Sequence, residues 1–334
     1  MAALTEELDA YMIRNERITA EQAHVKTELD LASRIQTAML PSVFPPYPDR
    51  KDFEIFASMT PAKEVGGDFY DFFLVDERRL CLVIADVSGK GIPAALFMMA
   101  AKITLSHLVK SGRSPAEVLA EANNSICSKN PEEMFVTVWL AILDLDTGRL
   151  SCANAGHEYP MLKKPGGRYE LLKDKHGFVL GGMENMKYHE YELRLEPGAA
   201  LFLYTDGLAE ALDPDDQMFG TERILERLNR PIPAVSSRAL TMKTILSDHV
   251  RGAKGVKDMI RTSAETGKTE VSASSNLAIN AFLIRAYTSS KSNYSKAFRK
   301  TQKRRAPIFD KQAAAVYIMQ KYFLAGHFFI CYNI

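Results

Sequence analysis

Residues 1–40 contain neither Gly nor Pro, and apolar side chains recur every seventh position at Leu4, Tyr11, Ile18, Val25, Ala32 and Met39. A second row, Leu8, Asn15, Gln22, Leu29 and Gln36, sits four residues after the first five of these. The spacing predicts one long helix with a partly polar heptad seam. Such a helix either packs on its own domain or pairs in parallel with a second copy. In the second case Asn15 and Gln22 fix the register at a cost in stability. The prolines of "LPSVFPPYP" stop the helix at about Leu40.

From residue 53 the pattern shortens to strands. "FEIFASM", "DFYDFFLV" and "RLCLVIADV" are the first three, with "DERR" joining the latter two as a hairpin loop. Helices are expected near 92–110, with Pro93 in the first turn, and near 115–129, with Ser114 as N-cap and Pro115 at N1. "MFVTVWLAILDLDTGRLSCANAG" reads as a hairpin turning at "DTG". "YELRLEPGAALFLYTDG" reads as another, turning at "EPG", and a helix is expected at 220–229. Adjacent hairpins and paired helices predict an α+β sandwich of mostly antiparallel sheets. Unsustained βαβ alternation argues against a Rossmann fold.

After Pro231 the texture changes again. Residues 231–276 are rich in Ser, Thr and Lys with weak periodicity, and "NLAINAFLIRAY" has strand character. The run "KSNYSKAFRKTQKRR" holds seven basic residues and no acid. The closing "AAAVYIMQKYFLAGHFFICYNI" is apolar but interrupted by Lys321 and His327. Three parts are expected: a linker or coiled-coil helix at 1–40, a sandwich domain at 41–230 completed by a strand at 277–287, and an atypical, partly disordered basic region at 231–334.

Composition narrows the class of protein. The chain has 334 residues, 46% of them apolar and 25% charged, ordinary values for a globular protein. A net charge of +1 singles out no partner, and no nucleic-acid ligand is expected. The polar N-terminal stretch is unlike a secretory leader, and no uncharged apolar run is long enough to predict a membrane span. Cys81, Cys127, Cys152 and Cys331 lack metal-type spacing. Free thiols in a reducing cytoplasm are the simplest account.

The candidate chemistry lies in three aspartates. "AKEVGGDFYDFF" places two glycines before Asp68; "LVIADVSGKGIPAAL" and "LFLYTDGLAEA" each end an apolar run at an acid, Asp86 and Asp206. Carboxylates are hard oxygen ligands suited to Mn²⁺ or Mg²⁺. Each acid taken alone is also a plausible turn-former. No Ser-His-Asp or cysteine nucleophile is evident.

Together with "ELDLASRIQTAMLP", "FVTVWLAILD", "NAGHEYP" and "GFVLGG", these segments resemble the stage II sporulation protein E family, a branch of the PPM-type metal-dependent serine/threonine phosphatases, from about Glu28 to Arg230. The resemblance implies a four-layer α-β-β-α sandwich after the long helix, with two Mn²⁺ or Mg²⁺ ions at one end. It implies that Asp86 bridges the ions, that the Val87 carbonyl ligates one, that Asp206 ligates the other, and that Asp68 holds water at the metals. It further implies hydrolysis of a phosphorylated bacterial regulator, of the anti-sigma-factor antagonist type, and the heptad seam adds the expectation of a homodimer joined through the N-terminal helix. The alternative is a catalytically impaired scaffold, because the family's closing Asp-Asp pair is missing: "SSNLAIN" stands where it is expected. Asp248 or Asp258 are candidates to replace it. His157 of "NAGHEYP" is open to a site role or a turn role. "GGDF" also matches a cyclic-dinucleotide synthase signature, but the following Tyr and the strand order do not fit. "AETGKT" ends like a phosphate loop with Thr262 in place of its first Gly.

Overall fold

The computed structural model describes residues 2–61, 63–212, 216–230 and 279–286. The segments 231–278 and 287–334, and with them Asp248, Asp258, the basic run and the apolar C-terminus, lie outside the described residues. The elements run α1 (Ala2–Ala38), β1 (Phe53–Thr60), β2 (Phe69–Leu74), β3 (Arg79–Val87), α2 (Ile92–Lys110), α3 (Pro115–Cys127), β4 (Val136–Asp144) and β5 (Arg149–Ala155). They continue as β6 (Met161–Lys163), β7 (Tyr169–Leu171), β8 (Glu190–Arg194), β9 (Ala200–Tyr204), α4 (Asp206–Ala209), α5 (Gly220–Leu228) and β10 (Ile279–Ala286).

The strands form two five-stranded sheets. One has the order β2-β3-β4-β5-β8 and the other β1-β10-β9-β6-β7. Alternation along each strand divides the apolar residues between three layers. Phe69, Val83, Ala85, Val138 and Ala153 face α2 and α3. Tyr70, Phe72, Leu82, Ile84, Trp139, Leu201 and Leu203 fill the space between the sheets. Phe202, Tyr204 and Met161 pack under α4 and α5 with Leu208, Ile224 and Leu228. The result is the four-layer α-β-β-α sandwich. In α3 the predicted cap forms as a full capping box between Ser114 and Glu117. α2 has the length and apolar content of a membrane span. It buries Ala94, Met98, Ala101, Leu105 and Val109 as a core helix.

The "EPG" hairpin is corrected by the structure. β8 pairs with β5 in one sheet, whereas β9 pairs with β10 and β6 in the other. The turn therefore carries the chain across the sandwich. Antiparallel strands look alike in sequence whether they pair with each other or with distant partners. β10 lies between β1 and β9, so a segment far along the chain supplies a central strand.

Most of α1 stands free of the domain, with Leu8, Tyr11, Ile18 and Val25 exposed. Its last turn does not. Gln36, placed in the second seam row by its spacing, is buried and hydrogen-bonds the main chain of Gly66 in both directions: Nε2 donates to the Gly66 carbonyl at 2.7 Å and Oε1 accepts from its N–H at 3.1 Å. The second acid of "GGDFYD", Asp71, points to the helix layer, where it accepts from Lys102 Nζ at 2.6 Å and Ser106 Oγ at 3.1 Å.

Candidate active site

Asp68 stands one residue before β2, where Phe69 pairs with Ala85. Continuing that antiparallel register by one residue sets Asp68 opposite Asp86 on β3. Gly67 permits the approach. A Cβ there would meet the Val87 carbonyl oxygen at 2.9 Å, so only glycine lets this backbone lie so close to the end of β3. Beyond Val87, Gly89 and Gly91 adopt φ of +85° and +78°, the left-handed region open to glycine, and turn the chain into α2. Ser88 ties this loop to β4: its N–H donates to the Phe135 carbonyl at 2.8 Å and its Oγ accepts from the Phe135 N–H at 2.9 Å.

Asp206 comes from the other sheet. β9 is buried along its whole length, and Thr205 follows in extended conformation before Asp206 opens the short α4. The Asp86 carboxyl is within hydrogen-bonding reach of both the Asp68 and Asp206 carboxyls. Burial, then the charge of Asp68, then that of Asp206, hold the Asp86 carboxyl far above the ordinary carboxylate range. Asp206 is raised as well, first by burial, then by the charges of Glu210 and Asp68, with Glu158 adding to these. All three acids picked from the sequence thus meet, and the Val87 main chain lies beside them.

Asp86 in reach of two further carboxyls, with the Asp68 charge also acting on Asp206, concentrates negative charge that a cation relieves. Among the described residues no three acidic, His or Cys side chains are already spread as a ligand shell. The donor set is nonetheless all oxygen, the chemistry that Mn²⁺ and Mg²⁺ select. The cradle over Val87 is open only because residue 67 lacks a side chain. These residues fit a divalent cation.

Two acids escaped the sequence reading. Glu210 lies one helical turn after Asp206, and its N–H donates to the Asp206 carbonyl at 2.8 Å. Glu158, next to His157, accepts from Tyr204 Oη at 3.4 Å. The i, i+4 spacing of Asp206 and Glu210 is the signal that could have found the first. His157 itself is buried, with Nδ1 at 2.9 Å from Thr137 Oγ1.

The sequence model of the family described as Stage II sporulation protein E (SpoIIE) matches residues 76–258. Protein IcfG of Synechocystis sp. is 31% identical over 256 residues, covering 68% of this chain and 40% of that protein. Phosphoserine phosphatase RsbU of Bacillus subtilis is 32% identical over 191 residues, covering 57% of this chain and 55% of that protein. The chain thus spans about half the length of these relatives. Among solved structures, the SiaA-PP2C domain of Pseudomonas aeruginosa superposes with a TM-score of 0.61 at 22% identity, covering 80% of this chain and 98% of that domain. With its fold shared by a PP2C domain and more than half its length matched by the family model, the chain belongs to the stage II sporulation protein E family.

Proposed function

We propose that the chain is a phosphoprotein phosphatase that uses two Mn²⁺ or Mg²⁺ ions to hydrolyse phosphoserine or phosphothreonine in a regulatory protein of the anti-sigma-factor antagonist type. The observation that carries this reading is the meeting of Asp68, Asp86 and Asp206 from two different sheets. In this reading Asp86, Asp206 and the Val87 carbonyl hold the ions, and Asp68 orients water. The ions supply Lewis acidity toward a phosphoryl oxygen and lower the pKa of water. The similarity to a protein named as a phosphoserine phosphatase supports the choice of substrate class.

The missing closing acid favours one other reading, an impaired phosphatase that serves as a scaffold. Two divalent ions carry four positive charges, against three negative charges on the aspartates. Glu158 and Glu210 lie close enough to influence Asp206 and add to the negative potential there. Chain stripped with a chelator and resupplied with Mn²⁺ distinguishes the two. Phosphate release from an aryl phosphate and from a serine-phosphorylated antagonist protein supports the enzyme. Release from neither, in a folded chain, supports the scaffold.

The exposed stripe of α1 supports parallel pairing of two copies, with the chain acting as a cytoplasmic homodimer. Leu8, Tyr11, Ile18 and Val25 are apolar side chains that a second helix would cover.

A further inference from the structure

Asp68 lies in no strand, so its place opposite Asp86 depends on what holds the chain on either side of it. We infer that the end of α1 does this. Gln36 and the Pro41 carbonyl grip the chain two residues before and two residues after Asp68, which makes Gln36 and Tyr70 positioning residues of the metal site. The inference rests on the metal-site reading above.

Before Asp68, the Gln36 amide closes on Gly66. Nε2 donates to the Gly66 carbonyl at 2.7 Å and Oε1 accepts from the Gly66 N–H at 3.1 Å. Both residues are buried, and Gly66 precedes β2, outside any named strand. A buried main-chain donor or acceptor left unpaired is costly. A side-chain amide carries the donor and the acceptor needed to pair both at once. Gly67, next in the chain, rests against the end of β3, where a Cβ would come within 2.9 Å of the Val87 carbonyl oxygen. Gln36 therefore holds the Gly66–Gly67 backbone down on Val87, and Asp68 is the next residue.

After Asp68, Tyr70 Oη donates to the Pro41 carbonyl at 2.7 Å. The Tyr70 ring is buried between the sheets. Burial, with the Asp71 charge adding to it, pushes its phenol up to about 12, so the donor proton stays in place at neutral pH. Between the two ties, Leu40 is buried in the same apolar cluster as Phe69, the first residue of β2. The chain leaving Gln36 is fixed in turn: the Met39 and Leu40 N–H groups donate to the Gln36 and Thr37 carbonyls, each at 3.1 Å. A helix that merely ended on the domain would need only the Leu40 contact. Two bonds to one glycine main chain, and a third beyond the acid, fix a position.

The test uses the full chain, freed of metal and titrated with Mn²⁺ alone by calorimetry. Amide hydrogen exchange and the melting temperature of each metal-free variant are measured in parallel. Gln36→Leu removes the amide and should weaken Mn²⁺ binding roughly 10–100-fold, the range for residues that orient metal ligands. Exchange at Gly66, Gly67 and Asp68 should quicken in the same chain before metal is added. Tyr70→Phe keeps the ring, removes one bond, and should weaken binding roughly 10-fold, the low end of that range. Asn229→Leu is the control. Asn229 makes the same paired contact with the Tyr169 main chain, Oδ1 accepting from the N–H at 2.7 Å and Nδ2 donating to the carbonyl at 3.0 Å. Tyr169 lies opposite Lys163, and Lys163 opposite Ala200, at the end of β9 away from Asp206. Asn229→Leu should melt lower and still bind Mn²⁺ as the wild type does. Wild-type affinity in Gln36→Leu, or a loss no larger than that of Asn229→Leu, would overturn the inference. If Gln36→Leu does not fold, Tyr70→Phe decides, and wild-type affinity there overturns it. If the wild-type chain binds no Mn²⁺, the metal-site reading falls and this inference falls with it. If it binds and the Gln36 and Tyr70 variants match it, only this inference falls.

Discussion

Gly67→Ala tests how closely the backbone before Asp68 must approach the end of β3. The added Cβ would stand 2.9 Å from the Val87 carbonyl oxygen, 3.0 Å from Val87 Cβ and 3.3 Å from Ala94 Cβ. None of these can rotate away. Val87 is paired to Val136 in the sheet, and Ala94 is a buried residue of α2. Relief requires β2, β3 or α2 to shift, and overpacking of this kind costs about 1–3 kcal/mol. The shift also moves the Val87 carbonyl relative to Asp68 and Asp86. Gly66→Ala is the control. Its Cβ would meet Pro61 Cβ at 3.2 Å and Pro61 Cα at 3.6 Å, outside the named strands, where the loop can yield at under about 1 kcal/mol. Urea unfolding in chelator measures the stability, and calorimetric Mn²⁺ titration measures the site. Gly67→Ala should lose about 1–3 kcal/mol and roughly tenfold in metal affinity, while Gly66→Ala loses little of either. A Gly67→Ala chain with wild-type stability and affinity, or a Gly66→Ala chain that is worse, would refute the reasoning.

Lys102→Met leaves Asp71 buried without its 2.6 Å cation and should destabilise the fold by about 3–5 kcal/mol, as measured by denaturant titration, with the Asp71→Leu/Lys102→Met pair recovering most of the loss. Burial holds the His157 imidazole at about 3, below its ordinary 6.5. A depressed histidine stabilises the fold above the unfolded value and loses that contribution as pH falls through 6.5 toward 3, up to about 5 kcal/mol at 1.36 kcal/mol per pH unit. Stability measured between pH 7 and 4.5 should therefore fall less steeply in His157→Leu than in the wild type; equal slopes would show that the ring titrates normally. Replacing both Asn15 and Gln22 with Leu should tighten self-association in sedimentation equilibrium, whereas a monomer at high concentration in both chains would exclude pairing through α1.

Strands β2 to β5 were legible because short apolar runs and the "DERR" and "DTG" turns are local signals. The helix start at Pro93 and the Ser114 cap were legible for the same reason. The destinations of β8 and β9 were not, since register with a distant strand leaves no mark at the "EPG" turn. Position β10 was hidden in the same way: its apolar run is readable, its central place between β1 and β9 is not. The three acids stood out because each borders an apolar run beside small residues, Asp68 before one and Asp86 and Asp206 at the end of one. Gln36 was read as a seam residue because sevenfold spacing cannot see that the helix docks only at its last turn. His157 and Thr137, twenty residues apart, meet only through the β4–β5 pairing.

The most direct measurement is turnover of an aryl phosphate by chelator-stripped wild-type and Asp86→Asn chains across a Mn²⁺ titration. Asp86 is the acid in contact with both others. The account predicts hydrolysis that appears with Mn²⁺ in the wild type and stays at the blank in Asp86→Asn, with both chains folded. Turnover in the wild type without metal, or wild-type turnover by Asp86→Asn at any Mn²⁺ concentration, would contradict it.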